Sequence, residues 1–162
     1  MTLTIDSTVA LSNGVEMPRL GLGVFKAEDG REVEQAVAWA IQAGYRSIDT
    51  AAFYHNEGGV GRAIRDSGMP RESIFVTTKI WNDDQRRGAT QKAFDDSLAR
   101  LGLDYIDLYL VHWPVAGYFK QTWQVLETIY RSGRARAIGV SNFMVHHLEQ
   151  LLEGATVPPV SS

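Results

Sequence analysis

FVTTKIWN, residues 75–82, reads as a buried strand that runs into a lysine, Lys79, and then a tryptophan, Trp81. Its first four residues are apolar or β-branched without a polar alternation, which is typical of a strand covered on both faces. A charge at the end of such a strand needs a partner or a function, because an unpaired charge is costly to bury. The stretch therefore predicts a sheet that is covered on both faces, with a partner or a functional role for Lys79 at the end of the strand.

Four more apolar runs accompany this strand along the chain, and segments with helical periodicity separate them. The five runs cover residues 19–24, 45–48, 74–78, 105–111 and 135–140. The first helical segment puts Val33, Ala36, Val37, Ala40 and Ile41 on one face and ends near Gly44. A short hairpin with an Asn13-Gly14 turn precedes the first run. Alternating strands and helices predict an α/β fold with a parallel sheet covered by helices.

Two architectures fit this order, an open doubly wound sheet and a (β/α) barrel. Gly21-Leu22-Gly23 lacks the third glycine of a dinucleotide-binding fingerprint. The cluster at 58–61 is not followed by the Lys-Ser or Lys-Thr of a phosphate-binding loop. We therefore interpret both glycine clusters as close-packing positions, and the pattern favours the barrel.

The amino-acid composition excludes or disfavours several classes of partner and site. The chain has 162 residues, 44% of them hydrophobic, and a net charge of −3 without a basic stripe, which fits one globular domain over residues 1–162 and disfavours nucleic acid as a partner. The absence of cysteine excludes disulfides and thiolate metal sites. The sequence shows no signal peptide and no apolar run of membrane-spanning length, so we expect no membrane partner and a cytoplasmic location.

The residues that follow the strands carry the chemistry. In order they are Val24-Phe25-Lys26, Asp49, Lys79, His112-Trp113 and Ser141-Asn142, with Tyr54 in the loop after the second strand. In a parallel barrel these positions meet at the carboxyl ends of the strands, where active sites are built. Taken singly, Asp49 reads as a helix cap, Lys79 as a strand-end charge, His112 as a core histidine and Tyr54 as a packing aromatic. Their convergence favours a shared site.

These four side chains form a plausible proton donor for a carbonyl. A tyrosine has an unperturbed pKa of about 10, so we expect a nearby cation, Lys79, to stabilise the phenolate. Asp49 would keep Lys79 charged by pairing with it, and His112 would orient the substrate oxygen. No side chain delivers a hydride, so a cofactor must supply it.

The strand-end motifs resemble those of the aldo-keto reductase family. The similar stretches are GYRSIDTAAFYHNEGGVGRAI, FVTTKIWN, LDYIDLYLVHWP and ARAIGVSNF, within a resemblance that runs from about residue 9 to 159. It is closest to the branch that contains 2,5-diketogluconate reductases, glyoxal reductases and prostaglandin F synthases.

The resemblance implies an NADPH-dependent reduction of aldehydes or ketones without a metal. It implies a catalytic tetrad of Asp49, Tyr54, Lys79 and His112, with Tyr54 as the proton donor. It also implies cofactor contacts at Val24, Asp49, Ser141 and Asn142, and a substrate pocket walled by Phe25, Trp81 and Trp113.

The chain departs from the family in length. A (β/α)8 TIM barrel usually needs about 250 residues, whereas this sequence offers about five βα units and ends with VPPVSS where a sixth strand is expected. The family's later glutamine, stacking tyrosine and basic phosphate-binding residues have no counterpart here. Two alternatives stay open: a working reductase, or an inactive half-barrel that acts as a relic, an assembly module or a fragment needing a partner. Open sheet edges also predict self-association, for example as a homodimer.

Overall fold

The structure is a computed structural model that describes residues 4–161. An antiparallel hairpin precedes a parallel sheet whose strands alternate with helices. The hairpin consists of β1 (Thr8–Ala10) and β2 (Glu16–Pro18), and the parallel strands are β3 (Leu22–Gly23), β4 (Ser47–Asp49), β5 (Phe75–Ile80), β6 (Ile106–Val111) and β7 (Ala135–Val140). The helices are α1 (Arg31–Gln42), α2 (Glu57–Asp66), α3 (Asn82–Arg86), α4 (Thr90–Leu101), α5 (Phe119–Arg131) and α6 (Val145–Leu152), with 3₁₀ turns at Ala52–Tyr54 and Arg71–Ser73.

The strands of the parallel sheet follow one another in chain order, β3-β4-β5-β6-β7. A doubly wound sheet reverses its strand order at a switch point, and this sheet does not. The predicted five-unit α/β architecture of the barrel type is therefore confirmed. Strands β5 and β6 are buried at every residue, which explains why apolar residues do not alternate with exposed polar ones along them.

Two glycines of the 58–61 cluster let helix α2 approach its neighbours. A Cβ atom on Gly59 would lie 2.3 Å from Val33 Cγ1, and one on Gly61 would lie 1.9 Å from the Leu101 carbonyl oxygen. No side chain fits at either distance. The interpretation of this cluster as a close-packing site is confirmed.

The hairpin packs at the amino-terminal end of the sheet, which we call the N-terminal face. Asn13 Nδ2 donates a 3.0 Å hydrogen bond to the carbonyl oxygen of Arg136, near the start of β7. An inner apolar cluster joins hairpin and sheet; it contains Phe75, Leu108, Leu110 and Ala137, with Leu11, Val15, Met17 and Val160 packed against them. The hairpin therefore closes this end of the sheet with apolar side chains.

The two edges of the sheet differ from the sequence prediction. Strand β3 is shorter than the predicted run at 19–24, because Pro18 pairs within the hairpin and the Arg19 N–H donates to the Ser7 carbonyl. At the other edge, Val160 N–H donates to the Ile138 carbonyl and Val140 N–H donates to the Ser161 carbonyl, both at 3.0 Å. Residues 160–161 therefore cover part of β7, which was predicted to be an open edge.

Candidate active site

The predicted site residues lie at the carboxyl ends of the parallel strands, which we call the C-terminal rim. They surround a cleft of about 570 Å³. The cleft is lined by Phe25, Asp49, Phe53, Tyr54, Lys79, Trp81, Asn82, His112, Trp113, Ser141 and Asn142. The structure thus brings together nine of the side chains that the sequence placed at the five strand ends or in the loops after them, including all four of the predicted tetrad.

Lys79 is almost fully buried and has two acceptors. Its Nζ lies 2.6 Å from Asp49 Oδ1 and 2.8 Å from the Thr50 carbonyl oxygen. Only 7% of the Lys79 side chain is exposed, against 41% for Asp49. The ion pair and the bond to the carbonyl oxygen explain how a strand that is buried on both faces can end on a lysine.

Tyr54 stands at the end of the 3₁₀ turn and faces both Lys79 and His112. Lys79 Nζ lies 5.1 Å from the centre of the tyrosine ring, and the rings of Tyr54 and His112 are 5.8 Å apart in an edge-on arrangement. Burial raises the pKa of Tyr54, and the charge of Asp49 raises it further. Burial and the Asp49 charge thus both favour the protonated phenol, and stabilisation of the phenolate by Lys79 stays a prediction. Tyr54 therefore keeps its proton at neutral pH.

His112 follows β6 and is 7% exposed. Burial, and then the positive charge of Lys79, lower its pKa to about 4. Its Nδ1 atom is buried and has no hydrogen-bond partner among residues 4–161. A neutral imidazole with one ring N–H is the form present near neutral pH, and such a group can orient an oxygen without carrying a charge.

Aromatic side chains form the walls of the cleft. Phe25 and Trp113 are 58% and 45% exposed, and the Phe25 ring lies 5.0 Å from the ring of Tyr54. Trp81 stacks on Phe53 with 3.8 Å between ring centres. Phe53 and Asn82 were not identified from the sequence. Phe53 directly precedes Tyr54 in the loop after a barrel strand, and that position was a usable signal.

Ser141 and Asn142 complete the rim after β7. Asn142 has a left-handed backbone, with φ of 61°, and its Nδ2 donates to the His112 carbonyl at 2.8 Å. A hydroxyl and an amide are the groups that hydrogen-bond a carboxamide, so both residues fit the cofactor role that was predicted for them.

Val24 differs from the other predicted cofactor contacts. Its side chain is 2% exposed, its N–H donates to the Asp49 carbonyl, and its carbonyl accepts from Asn56 Nδ2. A direct contact between Val24 and a cofactor stays a prediction.

Neither a metal-binding cluster nor a membrane-spanning helix is found in residues 4–161. No three histidine or acidic side chains there are grouped to hold a metal ion. No helix in that part of the chain has the length and apolar character needed to cross a membrane.

Known proteins are similar to this chain in sequence and in fold. The model of the "Aldo/keto reductase family" matches residues 19–162. A glyoxal reductase of Bacillus subtilis is 56% identical over 99% of this chain and 58% of its own length.

Solved structures give the same picture. An aldo/keto reductase from Brucella melitensis superposes with a TM-score of 0.91 and 49% identity, over 95% of this chain and 60% of its own. A Bombyx mori aldo-keto reductase in complex with NADP gives a TM-score of 0.89 and 39% identity, over 98% and 57%. The chain thus spans a little under two thirds of the length of these relatives. On this evidence the chain belongs to the aldo/keto reductase family.

Proposed function

We propose that this chain carries the catalytic residues of an NADPH-dependent reductase that converts aldehydes and ketones to alcohols. The observation that carries the proposal is the placement of Tyr54, Lys79, Asp49 and His112 around one cleft. The printed names of the relatives, a glyoxal reductase and a reductase in complex with NADP, support it.

The chain's own residues supply the acid chemistry. Tyr54, protonated at neutral pH, donates its proton to the carbonyl oxygen as negative charge develops there. His112 is neutral and orients the same oxygen from the neighbouring strand end. Lys79, held by Asp49 and Thr50, lies close enough to stabilise the tyrosinate that remains. A general acid of this kind contributes about 10² to 10⁴ in rate.

Ser141 and Asn142 are the residues that would hold the nicotinamide of NADPH. The Asn142 amide nitrogen is bound to the His112 carbonyl, so the Ser141 hydroxyl and Asn142 Oδ1 would bind the carboxamide. NADPH supplies the hydride when bound. Asp49 borders the same cleft and would contact the cofactor from the opposite strand end.

The walls of the cleft favour small carbonyl compounds with an apolar body. Phe25, Trp81 and Trp113 present aromatic surface, and such surface around a few polar groups is characteristic of small-molecule sites. Methylglyoxal, which is small and reactive, is therefore a suitable first substrate.

A second candidate is a non-catalytic module with an inherited site. The observation that favours it concerns the described lining of the cleft, where Lys79 is the single cationic side chain and is already paired with Asp49. That lining offers no free charge for the phosphates of a dinucleotide.

A titration with NADPH separates the two candidates. The purified chain is titrated while nucleotide fluorescence is followed, with NADH as the matched comparison, and methylglyoxal is then added. Saturable binding followed by loss of NADPH absorbance supports the reductase. Binding without turnover supports the module. No binding at millimolar NADPH also supports the module and contradicts the cofactor assignment.

We also propose that the chain self-associates through the edge formed by β3. This strand has two residues and no partner on its outer side in the described chain. Light scattering of the purified chain tests this, and a sharp monomer mass contradicts it. A cytoplasmic location stays a prediction.

A further inference from the structure

A chain of buried hydrogen bonds lies directly beneath the C-terminal rim, between the loops that carry the site. Its centre is Asn56, which is 0% exposed. Asn56 Nδ2 donates to the carbonyl oxygens of Val24 and Ala27, both at 2.9 Å. Asn56 Oδ1 accepts a 2.7 Å hydrogen bond from Thr50 Oγ1. Both donor hydrogens of this amide are therefore used, and its oxygen is bonded.

The chain reaches the proposed catalytic groups at both ends. Thr50, also 0% exposed, is the residue whose carbonyl oxygen accepts from Lys79 Nζ at 2.8 Å. Asn56 follows Tyr54 by two residues, so it fixes the loop that carries the tyrosine. The same amide holds the carbonyls on either side of Phe25. One buried amide is thus hydrogen-bonded to the backbone around Phe25 and to Thr50, which holds Lys79, and it lies in the loop that carries Tyr54.

The chemistry of the position explains why an asparagine is there. An aspartate would turn a carboxylate toward two carbonyl oxygens, and an apolar residue would leave those oxygens and the Thr50 hydroxyl without a partner. An unpaired buried polar group is costly, so the loops would move to find water. Movement of about 1 Å at such a site is enough to reduce turnover about 100-fold.

We propose that Thr50 and Asn56 are positioning residues that set the geometry between Lys79 and Tyr54. This inference rests on the proposed reductase function. Neither side chain borders the cleft, so both act through the residues that they hold. Their effect is expected in the rate of proton donation and not in binding of the carbonyl substrate.

The test compares two substitutions at one position with a matched control elsewhere. Thr50→Val removes the hydroxyl and keeps the volume, whereas Thr50→Ser keeps the hydroxyl. The control is Thr78→Val, because Thr78 is equally buried on the next strand but donates its hydroxyl to Glu57. All three variants and the unaltered chain are assayed with NADPH and methylglyoxal.

The expected result is a fall of kcat for Thr50→Val of about 10-fold to 100-fold, with KM for the aldehyde changed less than about twofold. Thr50→Ser should recover most of kcat. Thr78→Val should lower the free energy of unfolding without this loss of kcat. Equal kcat in Thr50→Val and the unaltered chain, or an equal loss in Thr78→Val, would overturn the proposal.

A second readout does not depend on turnover. Lys79 is the one buried lysine of the four in the chain, so its ammonium group should give a slowly exchanging proton–nitrogen NMR signal that disappears in Lys79→Met. The signal should persist in Thr50→Ser and Thr78→Val and broaden away in Thr50→Val. A chain without turnover that shows this pattern contradicts the reductase and supports the positioning role. An unchanged signal in Thr50→Val contradicts the positioning role.

Discussion

A charged side chain is buried at each end of the barrel strands, and the groups around the two charges differ. At the N-terminal face, the Asp107 side chain is 1% exposed and accepts from Arg71 Nη2 at 2.7 Å, Arg136 Nη1 at 2.8 Å and the Val76 N–H at 2.9 Å. Arg71 Nε lacks a partner among the described residues, but a guanidinium does not give up its proton. The Asp107 carboxylate is therefore fully engaged by groups that hold it in place.

At the C-terminal rim the charge of Lys79 is paired, yet groups beside it stay available. His112 Nδ1 has no partner in the described chain, and no hydrogen bond contributes to the pKa of Tyr54. Both side chains border an open cleft, whereas apolar residues of the hairpin cover the N-terminal face. The comparison suggests two roles for a buried ion pair. At the N-terminal face it stabilises the fold, and at the C-terminal rim it holds the proposed proton donor in place.

The largest expected effect on stability is at the N-terminal face. Asp107→Ala leaves Arg71 and Arg136 without their shared carboxylate and the Val76 N–H without an acceptor. We expect a loss of about 3 kcal/mol in the free energy of unfolding, measured by urea denaturation. NADPH affinity of the folded variant should be unchanged. A stability loss below about 1 kcal/mol, or a large loss of affinity, would remove the distinction between the two ends.

The next effect concerns pH and belongs to the C-terminal rim. The folded-state pKa of His112 is about 4 against an ordinary value of 6.5, so the unfolded chain binds the extra proton between these values. The contribution of His112 to stability is therefore complete above pH 6.5 and is lost as the pH falls toward 4. Between pH 7 and pH 5 the loss should be about 2 kcal/mol.

The matched variant for this titration is His112→Gln. Its unfolding free energy should fall less than that of the unaltered chain over the same pH range. The three other histidines, His55, His146 and His147, remain in both proteins, so their contribution cancels in the difference. Parallel pH curves would show that His112 is not the group responsible.

The smallest effect is at an exposed pair whose geometry matches the buried one. Lys92 Nζ lies 2.6 Å from Asp96 Oδ2, the same distance as from Lys79 Nζ to Asp49 Oδ1. The Lys92 side chain is 75% exposed, so water screens the pair and Lys92→Met should leave the urea midpoint close to that of the unaltered chain. A clear fall of the urea midpoint would mean that distance, and not burial, decides what these pairs contribute.

The sequence predicted the architecture because its signals are local. Runs of apolar and β-branched residues, and helix-stop residues such as Gly44 with its φ of 100°, each report on their own surroundings. The extent of β3 was predicted less well, since competition with the hairpin for Pro18 and Arg19 depends on the tertiary fold.

The candidate site divides in the same way. The positions of Asp49, Tyr54, Lys79 and His112 around one cleft follow from the rule that parallel strands end at one rim; their catalytic roles stay predictions. The direction of the Tyr54 pKa shift depends on burial and on the nearby charge of Asp49, which spacing does not reveal. The network of Thr50 and Asn56 was also missed, because its hydrogen bonds join residues up to 32 positions apart.

The central claim is that Tyr54 at the C-terminal rim donates the proton, and the turnover of Tyr54→Phe tests it most directly. The phenylalanine keeps the ring and its contacts with Phe25 and His112 but removes the hydroxyl. With NADPH and methylglyoxal, we predict that kcat falls by about 10² to 10⁴ while the urea midpoint and NADPH affinity stay close to those of the unaltered chain. Unchanged turnover in a folded Tyr54→Phe chain would contradict the account.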